Sequence, residues 1–196
     1  MRSWIAMAVL VLLSPFAALA AEGHPTLPAS QVETGGDSLY VLDGKLTNQN
    51  GKEITLASFK GKPVLISMFY ATCPHACPML VSDIRKIEGQ LDPKLRKELQ
   101  VVLVTFDPDR DTVDALRELK KAHKVDDRWH FLRTDPGVVR ELAAVLGIRY
   151  RFTSDGAIGH SSVISLLDRE GAIAGRVEGV RQPADDIVRK LGQMTK

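Results

Sequence analysis

Apolar residues along this chain fall into two kinds of pattern, and the alternation between them predicts the architecture. Unbroken runs at 64–70 (VLISMFY) and 101–106 (VVLVTF) are rich in β-branched and aromatic residues and short, which predicts strands buried on both faces. A shorter strand is expected at 129–132. Elsewhere the apolar positions recur every three or four residues. Cys77, Leu80, Val81, Ile84 and Ile87 predict a helix that runs to about Leu91 and is stopped by Asp92-Pro93. Val113, Leu116, Leu119 and Ala122 predict another, with Asp111 or Thr112 as its N-cap. Further helices are expected over 137–146, ended by Gly147, and over 184–194. Strand patterns at 161–167 and 173–177, joined by the turn Asp168-Arg169-Glu170-Gly171, predict a hairpin near the C-terminus. Near the start of the fold, 39–42 and 53–56 flank the turn signal Asn50-Gly51 and predict a hairpin preceding the main sheet.

Ahead of these elements lie two segments of different character. Residues 1–20 join a positive start to an apolar run at 4–13, a Ser14-Pro15 break and Ala18-Leu19-Ala20, the three parts of a secretory signal, with cleavage expected after Ala20. An uncleaved membrane anchor is the alternative. Residues 21–38, rich in Pro, Gly and Ser and without periodicity, read as a flexible leader, in which His24 is expected to be solvated. Residues 39–196 then form one domain, large enough to bury a core without disulfide staples. Lys and Arg total 26 against 24 Asp and Glu, a balance that gives no pointer to nucleic acid or a polyanionic partner.

The chemistry concentrates at the two cysteines, Cys73 and Cys77, which follow directly on the first buried strand. There a strand hands over to a helix N-terminus, whose unpaired N–H groups and positive dipole end stabilise a thiolate and lower its pKa from the free value of about 8.5. Helical four-residue spacing separates Cβ atoms by about 5 to 6 Å, which with modest relaxation permits either a disulfide or chelation of one metal ion. Pro78 is tolerated because first-turn N–H groups have no helical partner. In an oxidising compartment the pair needs a reductant to stay as thiols.

A βαβ unit followed by an antiparallel hairpin and a closing helix is a thioredoxin-like α/β arrangement, here with an N-terminal β-hairpin extension; the cysteines sit at the carboxyl end of a central strand, where open α/β sheets place their sites. Three stretches in order, Phe69-Tyr70-Ala71-Thr72-Cys73-Pro74-His75-Ala76-Cys77-Pro78, Thr105-Phe106-Asp107-Pro108-Asp109-Arg110-Asp111-Thr112 and Gly159-His160-Ser161-Ser162, resemble the signatures of the Sco/SenC family of copper-binding assembly factors. The resemblance spans most of the chain from Leu39 onward. It implies a thioredoxin-like fold, one copper ion held by Cys73, Cys77 and His160, and a role in building the binuclear copper centre of cytochrome c oxidase, by delivering copper, by reducing that centre's cysteines, or both. Two thiolates and an imidazole form a soft donor set suited to Cu(I), while the nitrogen lets the same site hold Cu(II). A thioredoxin has Cys-x-x-Cys and a cis-proline facing it, where this chain has Cys-x-x-x-Cys and Gly159-His160. The implied partners are an apo copper protein, a cytochrome c oxidase subunit, and a thiol reductant or thioredoxin-like donor; the implied location is the periplasm or the outer face of the cytoplasmic membrane.

Secondary candidates surround this set. Asp107 and Asp111 leave the second strand near the same sheet edge, where either orients His160 or influences cysteine charge; alternatively Asp111 caps the helix and Asp107 shapes the turn. His75 is expected at the solvated surface, Met68 and Met79 in core packing, Trp129 in the core, and Tyr150 and Phe152 in a loop walling the site. Two departures from the family pattern bear on the partner: relatives commonly have an acidic residue where this chain has Gly159, and the segment from Gly147 to His160 is shorter than in many of them. Rival readings are a thiol-disulfide reductase without a metal cycle, a peroxiredoxin-type peroxidase, disfavoured by a close cysteine pair with both members followed by proline, and a zinc site on the same three ligands.

Overall fold

The computed structural model describes residues 38–71, 76–154 and 156–194. Its centre is a seven-stranded sheet in the order β2-β1-β5-β4-β3-β8-β9, built from β1 (Leu46–Asn48), β2 (Glu53–Ile54), β3 (Val64–Phe69), β4 (Gln100–Thr105), β5 (Trp129–Arg133), β8 (Val163–Leu167) and β9 (Ile173–Glu178). β3, β4 and β5 run parallel, while β8 lies antiparallel to β3 and β9 to β8. The helices are α1 (Ala76–Gly89), α2 (Pro93–Glu98), α3 (Val113–His123), α4 (Pro136–Val145) and α5 (Asp185–Gln193). Two further strands, β6 (Tyr150–Phe152) and β7 (Ile158–His160), pair antiparallel as a separate ribbon.

The runs expected to be buried on both faces are so. All six residues of β3 and all six of β4 are buried, and side-chain alternation sorts them into two cores. On one face Val64, Ile66, Met68, Val102 and Val104 pack with Val139 and Leu142 of α4 and with Leu56 and Phe59. On the other, Leu65, Phe69, Val101, Leu103, Trp129 and Phe131 meet Ile84 and Ile87 of α1, Leu116 of α3 and Ile187 and Leu191 of α5. Met68 and Trp129 are core residues, as expected, while Met79 is partly buried. The β3-α1-β4 unit, the β8–β9 hairpin and the closing helix α5 complete the thioredoxin-like arrangement.

Local chemistry moved several boundaries. Residues 39–41, expected as a strand, form a 3-10 turn, because the Ser38 hydroxyl accepts from the Tyr40 N–H and caps it. The hairpin's first strand is instead β1, and Asn48 Oδ1 organises its turn by accepting from the N–H groups of Asn50 and Lys52, with Gly51 at a φ of 78°. β1 also pairs with β5, so the hairpin is the edge of the main sheet itself. Asp92-Pro93, expected only to stop α1, starts α2: the Asp92 carboxylate accepts from Lys94 N and Leu95 N with Pro93 in the first turn. Residues 150–160, expected as loop, contain the β6–β7 ribbon. The signals were there, YRF and IGH around Ser154-Asp155-Gly156, but runs of three residues are too short for periodicity to register.

Candidate metal centre

The carboxyl end of β3 is tied to its neighbours before the cysteine segment begins. The Phe106 N–H donates to the Phe69 carbonyl at 2.7 Å, extending the β3–β4 pairing by one residue. The Ala71 N–H donates at 2.9 Å to Oδ2 of Asp111, and the same carboxylate oxygen takes a short hydrogen bond from the Thr105 hydroxyl. Thr105 Oγ1 in turn accepts from the Asp107 N–H at 2.9 Å. Asp111 is only 1% exposed. Burial raises its pKa above the ordinary carboxylate value, with the neighbouring Asp107 acting in the same direction, against the hydrogen bonds from Thr105 and Ala71 and the charge of Arg110. A buried carboxylate here thus holds the last described residue before the cysteines.

Thr112 caps α3, its hydroxyl accepting from Ala115 N, so of the two N-cap candidates Asp111 is released for this tie. Asp107 shapes the turn: it accepts from the Arg110 N–H at 3.4 Å and forms an ion pair with the Arg110 side chain. Neither aspartate bonds the His160 ring. Its Nδ1 lies 3.1 Å from the Ser161 carbonyl oxygen. A carbonyl only accepts, so Nδ1 is the donor in this contact and Nε2 is the nitrogen placed to ligate a metal, the orientation that a carbonyl behind a ligand histidine imposes.

The ring is also held by aromatic contacts. Its centroid is 5.0 Å from that of Phe106 and 5.9 Å from that of Tyr70, the latter edge-on, and Tyr150 packs on Phe106 at 4.9 Å. In the ribbon Tyr150 sits directly across from His160, and the pairing continues through Ser161 N to the Arg149 carbonyl and Arg149 N to the Ser161 hydroxyl. His160 is thereby brought beside the ends of β3 and β4. Tyr150 and Phe152, expected in a loop wall, stand on β6, with Phe152 58% exposed.

α1 begins at Ala76, so the Cys77 backbone is in its first turn. Cys73 and His75 lie outside the described residues, as do His24, residues 1–20 and the 21–37 part of the leader. Among the described residues no group of three His, Cys, Asp or Glu side chains forms a metal site by itself, and no helix is long and apolar enough to cross a membrane. Sequence reasoning named His160 and the aspartates but missed Thr105 and the Ser161 carbonyl. The first had a signal, a lone hydroxyl residue in the run VVLVT; a backbone carbonyl has none.

Comparison with known proteins places this arrangement. The sequence model of the SCO1/SenC family matches residues 34–196, a span that includes every described residue. The chain belongs to the SCO1/SenC family. A protein of Stutzerimonas stutzeri described as a putative copper-binding protein is 26% identical to this SCO1/SenC chain over 154 residues, covering 76% of this chain and 74% of the relative. The mitochondrial SCO2 homologue of Mus musculus is 36% identical over 164 residues, 76% of this chain and 61% of the mouse protein. Among solved structures, Bradyrhizobium japonicum ScoI with copper bound superposes with a TM-score of 0.64 at 26% identity, over 77% of this chain and 96% of ScoI.

Proposed function

We propose that this SCO1/SenC protein carries one copper ion on Cys73, Cys77 and His160, and that it serves the assembly of a respiratory copper centre, that of cytochrome c oxidase, by delivering the metal or by reducing the centre's cysteines. The observation that carries the reading is the placement of His160: its Nδ1 is committed to the Ser161 carbonyl, which leaves Nε2 as the nitrogen for a metal, beside the strand end from which the cysteine segment departs. The donor chemistry fits, since two thiolates and a neutral imidazole suit Cu(I). Copper in Bradyrhizobium ScoI, a relative with the same fold, supports the same cargo here.

In this reading copper is the cargo. Two electrons and two protons from a thiol donor convert a Cys73–Cys77 disulfide to two thiols, and copper uptake releases their protons. The first-turn position of Cys77 favours the thiolate, Asp111 holds the approach to Cys73 through Ala71, and His160 supplies the third donor. Transfer then proceeds by exchange of these ligands for those of the recipient. Residues 1–20 export the protein to the periplasm or the outer face of the membrane.

The test is copper titration of the fully reduced protein lacking residues 1–20, with metal analysis after desalting, for the parent, His160→Ala and Cys73→Ala. One copper per chain in the parent, lost in both variants, is the expected result. No retained copper, or retention indifferent to His160, overturns the reading and leaves a thiol-disulfide reductase as the better account.

A further inference from the structure

The outward face of the β6–β7 ribbon has a chemistry that copper binding does not use. Strand alternation turns Tyr150 and His160 inward, and it sets Arg151 outward, directly across from Gly159. The arginine stem passes over Gly159: a Cβ there would stand 3.8 Å from Arg151 Cγ and 3.9 Å from its Nε, ordinary contact distances. A carboxylate at this cross-strand position would pair with the guanidinium, and glycine supplies none. Arg149, one position before the ribbon, is likewise exposed, and neither arginine has a carboxylate partner among the described residues. Between Arg149 and Ser161 the sequence holds two arginines against one carboxylate, Asp155. Both arginines, with Tyr150, Gly159, His160 and Ser161, line one shallow open groove along the ribbon, so this charge lies next to the candidate ligand. Exposed Phe152 stands at the ribbon's end.

Two exposed guanidinium groups on a hydrogen-bonded ribbon, without a carboxylate partner among the described residues, select carboxylates, which they meet with directional hydrogen bonds. We propose that this face is where the protein docks an acidic protein surface, with Arg149 and Arg151 engaging carboxylates that rim the recipient's copper site. The proposal rests on the copper-carrier reading for the recipient's identity, though the charge arrangement stands without it.

The experiment mixes the copper-loaded protein with the apo, reduced soluble copper domain of a cytochrome c oxidase subunit and follows association and copper transfer at several salt concentrations. Arg149→Glu/Arg151→Glu is expected to slow association about tenfold or more at low salt and to flatten its salt dependence. The control, Lys94→Glu/Lys97→Glu on α2 at the opposite end of the sheet, makes the same change in net charge and is expected to retain the parent's rate within about twofold. Equal loss in both double variants, or an unchanged rate in the ribbon variant, overturns the proposal. Copper content is measured before mixing. If the parent holds no copper the carrier reading fails separately, and association of the reduced, copper-free proteins still decides whether the ribbon docks.

Discussion

β3 and the β6–β7 ribbon face each other across the candidate metal centre and are built on opposite principles. Every residue of β3 is buried, and the strand is paired on both sides; the ribbon has three residues per strand, and β6 is largely exposed. One is held by area removed from water, worth roughly 25 cal/mol per Å², the other by a few backbone hydrogen bonds and the Tyr150–Phe106–His160 stack. The contrast separates tasks. A rigid strand end delivers the cysteine segment, while a lightly anchored ribbon presents histidine and arginines to whatever approaches, and segments of few buried contacts open at low free energy.

The comparison is broken most strongly at the scaffold. Phe131 lies on β5, 1% exposed, with its ring edge-on to Phe69 at a centroid distance of 5.6 Å. Phe131→Ala is expected to cost about 3–5 kcal/mol in denaturant unfolding, with copper stoichiometry of the folded fraction unchanged.

Next in size are two titratable groups, both on the scaffold side of the comparison. Asp111, at the strand end, has its pKa raised above 3.8 by burial. A raised carboxyl binds protons more readily in the folded chain, so its contribution is fully present below 3.8 and is lost as pH rises through the folded value. His130, in the sheet with Nε2 3.0 Å from Gln100 Oε1 and its ring on Phe59, is lowered to about 4 by burial and then by the charges of Lys120 and Lys62. Its contribution is present above 6.5 and is lost as pH falls toward 4. Between pH 7 and pH 4, therefore, the parent is expected to gain stability relative to Asp111→Asn and to lose it relative to His130→Gln. The His130 change is on the order of 2 kcal/mol, because partial contact with solvent screens part of the cost. Urea midpoints at both pH values, with each variant as reference, check the two signs; the same sign for both would refute the assignment.

Smallest in stability is Tyr150→Ala on the ribbon, expected to cost about 1 kcal/mol yet to lower copper retention more than Phe131→Ala does. Desalting after equal loading measures this. Equal retention in the two variants would mean that the ribbon's aromatic contacts do not position His160.

How much of this was readable beforehand follows from how local each cause is. The strands, the helix carrying Cys77 and the helix starting after Thr112 could be assigned because burial imposes a period on the residues themselves. Where a side chain redirects the backbone, as Ser38 does in turning 39–41 into a 3-10 turn or Asp92 in starting α2, the signal is a single residue, and periodicity overrode it. The ribbon was too short for periodicity to find.

The sequence by itself determined the chemistry available: two cysteines four apart at a strand exit, a histidine nearly ninety positions later, and a pair of aspartates after a second buried strand. Composition and spacing suffice for that, since they depend only on neighbours in the chain. Which of those groups meet was decided only by the fold. Asp111 reaching Ala71 across 40 positions and Ser67 bonding the Val163 carbonyl across 96 are non-local contacts. So is the stacking of His160 on Phe106 and Tyr70. Each exists because strands remote in sequence are laid side by side to bury their apolar faces, and no pattern within one stretch records which polar groups that burial brings together.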